Sequence, residues 1–93
     1  PLRLGVAGLG RGFMLTLPSL RADPHVRLVA CAAPRRASRE AFVAEFGGSA
    51  HETVEALAAD PAVEAVYVAT PHQMHRAHAE AVAQAGKHLL VDK

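Results

Sequence analysis

Leu2-Arg3-Leu4-Gly5-Val6-Ala7 is an apolar run of strand character that breaks at Gly8-Leu9-Gly10-Arg11-Gly12, and a helical pattern from Arg11 to Ala22 follows at once. Strand, glycine turn and helix in that order constrain a chain strongly, because the helix must fold back over the strand that precedes it. Strand-then-helix order then recurs. Val26 to Ala32 reads as a second strand and Pro34 to Phe46 as a second helix with proline in its first turn, stopped by Gly47-Gly48. Gly48 to His51 reads as a short third strand, and Thr53 caps a third helix through Ala59. Ala65 to Ala69 is apolar on both faces, as a central parallel strand would be. A fourth helix runs from Gln73 to Ala85 with Met74, Ala77, Ala81, Val82 and Ala85 as its apolar stripe, and His88 to Val91 is a fifth strand. Pro18 lies inside the first helix and predicts a kink or a break into two pieces.

Five such alternations predict an α/β fold: a doubly wound parallel sheet of about five strands with helices on both faces. Right-handed crossovers give the order 3-2-1-4-5, a Rossmann-type sheet, with a ligand crevice at the carboxyl ends of strands 1 and 4. Residues 1–93 read as one domain, without linker or repeat. Alanine supplies 20 of the 93 residues, so helices can lie close to the sheet while each side chain buries little area.

The formal net charge of +1 gives no electrostatic case for nucleic acid or a membrane surface. No apolar run reaches the ~18 residues of a membrane span. Cys31 is the single cysteine, which rules out an internal disulfide and fits a reducing cytoplasm.

The glycine turn sits where such a turn carries chemistry. Gly8 allows the tight bend, Gly10 lets backbone approach a pyrophosphate, and Gly12 and Arg11 open the helix whose positive end faces the phosphates. The third glycine of the G-x-G-x-x-G pattern would fall at Phe13, so helix–strand packing there must differ. The plainer alternative is that these glycines serve only the strand–helix turn, and that Arg11, which would add charge at the phosphate site, is a solvated helix-start arginine.

A carboxylate after the second strand normally holds the adenosine ribose hydroxyls of NAD. Here the strand ends Cys31-Ala32-Ala33-Pro34-Arg35-Arg36, with no carboxylate and two arginines. Guanidinium pairs with a 2′-phosphate that a carboxylate would repel, which favours NADP over NAD as cofactor. A solvated basic helix start is the alternative reading of Arg35 and Arg36. His72, His75 and His78 recur every third residue, but such steps rotate the outer pair about 120° apart on an α-helix, and no ligand set completes them, so no metal is expected. The turn Thr70-Pro71-His72 instead lies at the crevice mouth with His75 along it, while His78 points toward the apolar stripe. His25, His51 and His88 have no constellation around them and read as surface or strand-end residues.

Leu4 to Gly10, then Thr70-Pro71-His72 with His75, then Ala85-Gly86-Lys87-His88 with Val91-Asp92-Lys93, resemble the Gfo/Idh/MocA oxidoreductases in order and over the whole chain. Leu17-Pro18, Asp60-Pro61-Ala62-Val63 and Thr70-Pro71-His72-Gln73 are most similar to phthalate dihydrodiol dehydrogenase-like members. The resemblance implies that Gly8 and Gly10 line a pyrophosphate and that Thr70, Pro71, His72 and His75 border the cofactor. It implies that Lys93, matching the lysine of the family's Glu-Lys-Pro motif, is catalytic and polarises the reacting oxygen, with Asp92 in place of the usual glutamate. It further implies a small-molecule substrate, homo-oligomers, and truncation of the chain before a C-terminal substrate domain. The expected activity of the whole protein is hydride transfer to or from an alcohol, sugar or cyclic diol carbon; these 93 residues alone are expected to be inactive. A non-catalytic dinucleotide-binding module or redox-sensing regulator is the alternative function, disfavoured by Lys93. A Rossmann methyltransferase lacks its acidic ribose ligand here.

Overall fold

The stretch Ala65–Val68 is buried at every residue, as a strand with a neighbour on each edge and a helix layer on each face must be. The computed structural model describes residues 1–91, and in it this strand is the fourth of five. The strands are β1 (Leu2–Ala7), β2 (Val26–Ala32), β3 (Ser49–His51), β4 (Ala65–Val68) and β5 (His88–Val91). The helices are α1 (Arg11–Ala22), α2 (Arg36–Phe46), α3 (Val54–Ala58) and α4 (His75–Gln84), the last preceded by a 3-10 turn over His72–Met74. All pairings are parallel and the order is β3-β2-β1-β4-β5, as the crossover argument predicts.

Alternation along the strands divides the core. Val6 and Cys31 face α1 and α2, packing with Phe13, Leu17 and Phe42. Ala7, Ala30, Ala32, Val66 and Val68 face the other way, against Val54, Leu57, Ala58 and Val82 of α3 and α4. Each fully buried Leu or Val contributes about 1.5–3 kcal/mol relative to exposure; the alanines contribute less and let the layers approach. Phe13, at the position of the missing third glycine, is 3% exposed. Its ring fills the space between α1 and the sheet where a glycine would allow contact. Between β1 and β2 the register slips at Val29, since Leu4 faces Leu28 but Gly5 faces Ala30. Gly48, with φ +81°, crosses that bulge so closely that a Cβ would overlap the Val29 carbonyl.

Three local expectations change. α1 is one uninterrupted helix across Pro18. Pro18 and Met14 lie on its exposed side, where solvent can satisfy the Met14 carbonyl that proline leaves without a donor. α2 begins at Arg36, so Pro34 precedes the helix and does not sit in its first turn. The inward side of α4 carries His75, His78, Ala79, Ala81 and Val82; of the expected stripe Ala81 and Val82 face inward, while Met74, Ala77 and Ala85 are exposed. The 3-10 turn shifts the helical phase, and both histidines face inward because each finds a partner on Thr70. Among the described residues no helix is long and apolar enough to cross a membrane.

Candidate functional site

The bend after β1 is set by Gly8, whose φ of +93° suits glycine. A Cβ there would lie 3.0 Å from both the Ala69 carbonyl oxygen and the Thr70 methyl. Gly8 thus lets the end of β1 press against the end of β4. Its N–H bonds the Ala32 carbonyl at 2.9 Å, so the bend is tied to β2 as well. Gly10, the residue before α1, differs: a Cβ built on it would meet nothing within 4 Å. Open space therefore faces the backbone at the point where the helix starts.

The amino end of α1 has no side-chain cap and no acidic residue in its first turn. Its first N–H groups and the helix dipole remain available to an anion. A relay holds this turn from below. The Tyr67 hydroxyl, on β4, bonds Thr16 Oγ1 at 2.8 Å, and Thr16 Oγ1 donates to the Gly12 carbonyl at 3.2 Å.

Three adjoining clefts ring the turn. The first, about 390 Å³, is lined by Gly10, Arg11, Gly12, Ala69, Thr70, Pro71, His72 and His75. The second, about 320 Å³, lies among Leu9, Gly10, Ala33, Pro34, Arg35 and Ser38. The third, about 330 Å³, borders Gly8, Ala33, Pro34, Glu52, Glu55, Thr70, Met74 and His78, among others. They share walls: Gly10 joins the first two, Ala33 and Pro34 the second and third, and Thr70 and Pro71 the first and third. Arg11 and the α1 amino end give the first cleft, and Arg35 the second, a positive lining. Glu52 and Glu55 give the third an acidic one. A fourth, apolar cleft of about 180 Å³ between α1 and α2 has, among the described residues, Glu45 as its one charged neighbour, which suits no anion.

The Thr70-Pro71-His72 turn is held by two histidines. His75 donates its Nε2 proton to the Thr70 carbonyl at 2.6 Å, which leaves Nδ1 as the open nitrogen in the neutral ring. His78 Nδ1 bonds Thr70 Oγ1 at 2.7 Å. The rings of His72 and His75 lie 5.1 Å apart. Among the described residues no three His, Cys, Asp or Glu side chains gather as a metal centre requires.

Of the residues singled out from the sequence, Gly8, Gly10, Arg11, Gly12, Arg35, Thr70, Pro71, His72 and His75 border these clefts. Arg36 does not; its Nε pairs with Glu40 at 2.8 Å, one turn along α2. Lys93 and Asp92 lie outside the described residues. Sequence reasoning overlooked Ser38, which stands beside Arg35, and the Tyr67–Thr16 relay. A threonine four residues after Gly12 was the available signal. It also read His51 as isolated. His51 Nε2 bonds Asp60 Oδ2 at 2.9 Å, and this bond, with one from the Ala62 N–H, holds the Asp60 carboxyl below the usual range. Burial pushes the Cys31 thiol up, keeping it protonated and unreactive.

A parallel sheet in this order, with a glycine turn and an uncapped helix amino end at its carboxyl rim, defines a dinucleotide-binding domain of the Rossmann type. Residues 2–93 match the model of the oxidoreductase family with an NAD-binding Rossmann fold, and the chain belongs to that Gfo/Idh/MocA family. It is 47% identical, over 99% of its length, to 1-carboxy-3-chloro-3,4-dihydroxycyclohexa-1,5-diene dehydrogenase of Comamonas testosteroni, covering 23% of that protein. It is 35% identical to the mouse trans-1,2-dihydrobenzene-1,2-diol dehydrogenase, covering 99% of this chain and 28% of the mouse protein. Among solved structures, a 3-ketoreductase from Actinomadura kijaniata in complex with NADP and TDP-benzene superposes with a TM-score of 0.89 at 35% identity, over 98% of this chain and 28% of that one. Biliverdin reductase from Synechocystis, in complex with biliverdin and NADP+, gives a TM-score of 0.84 at 34% identity, over 98% and 29% of the two chains. The chain thus spans about a quarter of the length of these relatives.

Proposed function

We propose that the chain binds NADP(H) around its glycine turn as the cofactor-binding part of a dehydrogenase or reductase. One observation carries the reading: at Gly10 the backbone faces open space beside an uncapped helix amino end, which leaves room for a pyrophosphate that a Cβ there would crowd. Gly8 shapes that bend, and the N–H groups at Arg11 and Gly12 face the anion. Arg35 then pairs with the adenosine 2′-phosphate in the second cleft, where buried Ala33 stands in place of a repelling carboxylate. Arg36 adds only long-range positive charge. The acidic third cleft suits the adenine, whose amino group donates hydrogen bonds. The relatives that carry NADP in their structures support this choice over NAD.

A bound nicotinamide supplies the hydride donor or acceptor. The turn Thr70-Pro71-His72 borders it, and His75, anchored through Nε2 on the Thr70 carbonyl, directs Nδ1 away from that anchor. Lys93 orients and polarises the substrate oxygen, since an ammonium favours developing negative charge there. The whole protein would act on an alcohol, sugar or cyclic diol through a following substrate domain that also builds the homo-oligomer. These 93 residues alone turn over nothing. A single buried cysteine makes the reducing cytoplasm the natural compartment.

Titration of the chain with NADPH and NADH at one salt concentration tests the reading. NADPH is expected to bind about tenfold or more tightly, a difference of about 1.4 kcal/mol. Equal or weaker NADPH binding overturns it. Hydride exchange by the whole protein with NADPH and a panel of diols and sugars tests the activity.

A further inference from the structure

The three arginines near the start of α2 have different surroundings. Arg36 is 85% exposed in its side chain and pairs with Glu40. Arg35 lines the second cleft and makes no side-chain hydrogen bond or ion pair among the described residues. Arg39 is only 15% exposed. Its Nη1 folds back past the helix start and donates to two carbonyls, Ala33 at 2.8 Å and Pro34 at 3.0 Å. Its Nη2 lies 3.7 Å from Glu52 Oε1, in the loop between β3 and α3.

That fork links the two loops that wall the second and third clefts. Ala33 is also held by its N–H, which bonds the His51 carbonyl at 3.0 Å. The peptide between Pro34 and Arg35 has no such second hold: among the described residues only Arg39 bonds it. Arg35 is tied to α2 on one side, where its carbonyl accepts the Arg39 N–H at 3.2 Å; on its Pro34 side, among the described residues, the Arg39 guanidinium alone holds the peptide that sets how Arg35 leaves the turn.

We propose that Arg39 is a positioning residue for coenzyme choice: its fork fixes the Ala33-Pro34 turn so that Arg35 is presented to a 2′-phosphate. This rests on the NADP(H) reading above. Arg39 does not line the second cleft, and its charge is engaged by carbonyls, so it acts through Arg35. A lysine at 39 keeps the charge but lacks the planar fork that spans two carbonyls and a carboxylate in fixed geometry. An NADH molecule has no 2′-phosphate and is indifferent to where Arg35 points.

Dissociation constants for NADPH and NADH are to be measured for the wild-type chain, Arg39→Lys and Pro34→Gly, with thermal unfolding of each. Pro34→Gly leaves Arg39 intact and loosens the turn it holds; Pro34 is exposed, so this variant tests the same point should Arg39→Lys fail to fold. Both variants are expected to weaken NADPH by about tenfold and NADH by less than about twofold. A role in holding the fold alone would weaken both cofactors equally, and that result overturns the proposal. So does an NADPH preference that survives both substitutions. A wild-type chain with no preference for NADPH is a different outcome: the coenzyme reading itself then falls, and the role of Arg39 with it.

Discussion

A methyl group added at Gly8 and one added at Gly10 are expected to act on different properties. At Gly8 the backbone has φ +93° and the new Cβ meets the Ala69 carbonyl and the Thr70 methyl at 3.0 Å. Gly8→Ala therefore costs stability, about 1–3 kcal/mol. At Gly10 the φ is −87° and the Cβ meets nothing, so Gly10→Ala leaves stability within about 0.5 kcal/mol of wild type. It does place a methyl where the pyrophosphate approaches, and NADPH affinity is expected to drop about tenfold. Chemical denaturation alongside NADPH titration separates the two. Should Gly10→Ala bind as wild type does, the pyrophosphate does not sit there.

At the scale of elements, α3 is the weakest piece. Five residues are too few to be helical unaided, and the chain holds them from both ends. Thr53 Oγ1 caps the Ala56 N–H at 3.1 Å. At the other end Lys87 Nζ bonds the carbonyls of Asp60 at 3.0 Å and Val63 at 2.6 Å, and the His51 ring reaches the Asp60 carboxylate. The folded-state pKa of Asp60 is lowered, chiefly by that His51 hydrogen bond. A lowered carboxyl stabilises the fold fully above its unfolded pKa, about 3.9, and ceases to do so as pH falls through the lower folded value. Asp60→Asn is thus expected to lose about 1 kcal/mol at neutral pH. The gap from wild type closes below about pH 4. Urea unfolding between pH 3 and pH 7 reads this directly, and a gap constant across that range would refute it.

For the molecule as a whole, a core rich in alanine and poor in aromatics leaves a small domain with little stability to spare. Ligand binding is then easy to see. NADPH at 100 times its Kd adds about 2.7 kcal/mol to folding, and a domain of this size shifts by roughly 4–8 °C per kcal/mol. A rise in melting temperature above about 10 °C with NADPH, and a smaller one with NADH at equal concentration, is the expected result. The strand order, the buried character of β4 and the glycine turn were legible in the residues, because hydrophobic period and glycine placement are local signals. The turn Thr70-Pro71-His72 with His75 was legible at the crevice mouth from its place after the fourth strand, and these residues line the first cleft. Local signals misjudged Pro18, whose missing donor matters little on a solvent-facing side, and the face of α4, whose phase is reset by one 3-10 turn. They also missed partners distant in sequence: Thr16 with Tyr67, His51 with Asp60, and Arg39 with Glu52. Spacing along the chain determined that a glycine bend joins β1 to the amino end of α1. Which of three neighbouring arginines lines the cleft beside that bend was decided only by tertiary structure, because a guanidinium on a long side chain goes to whatever carbonyl or carboxylate the fold brings within reach.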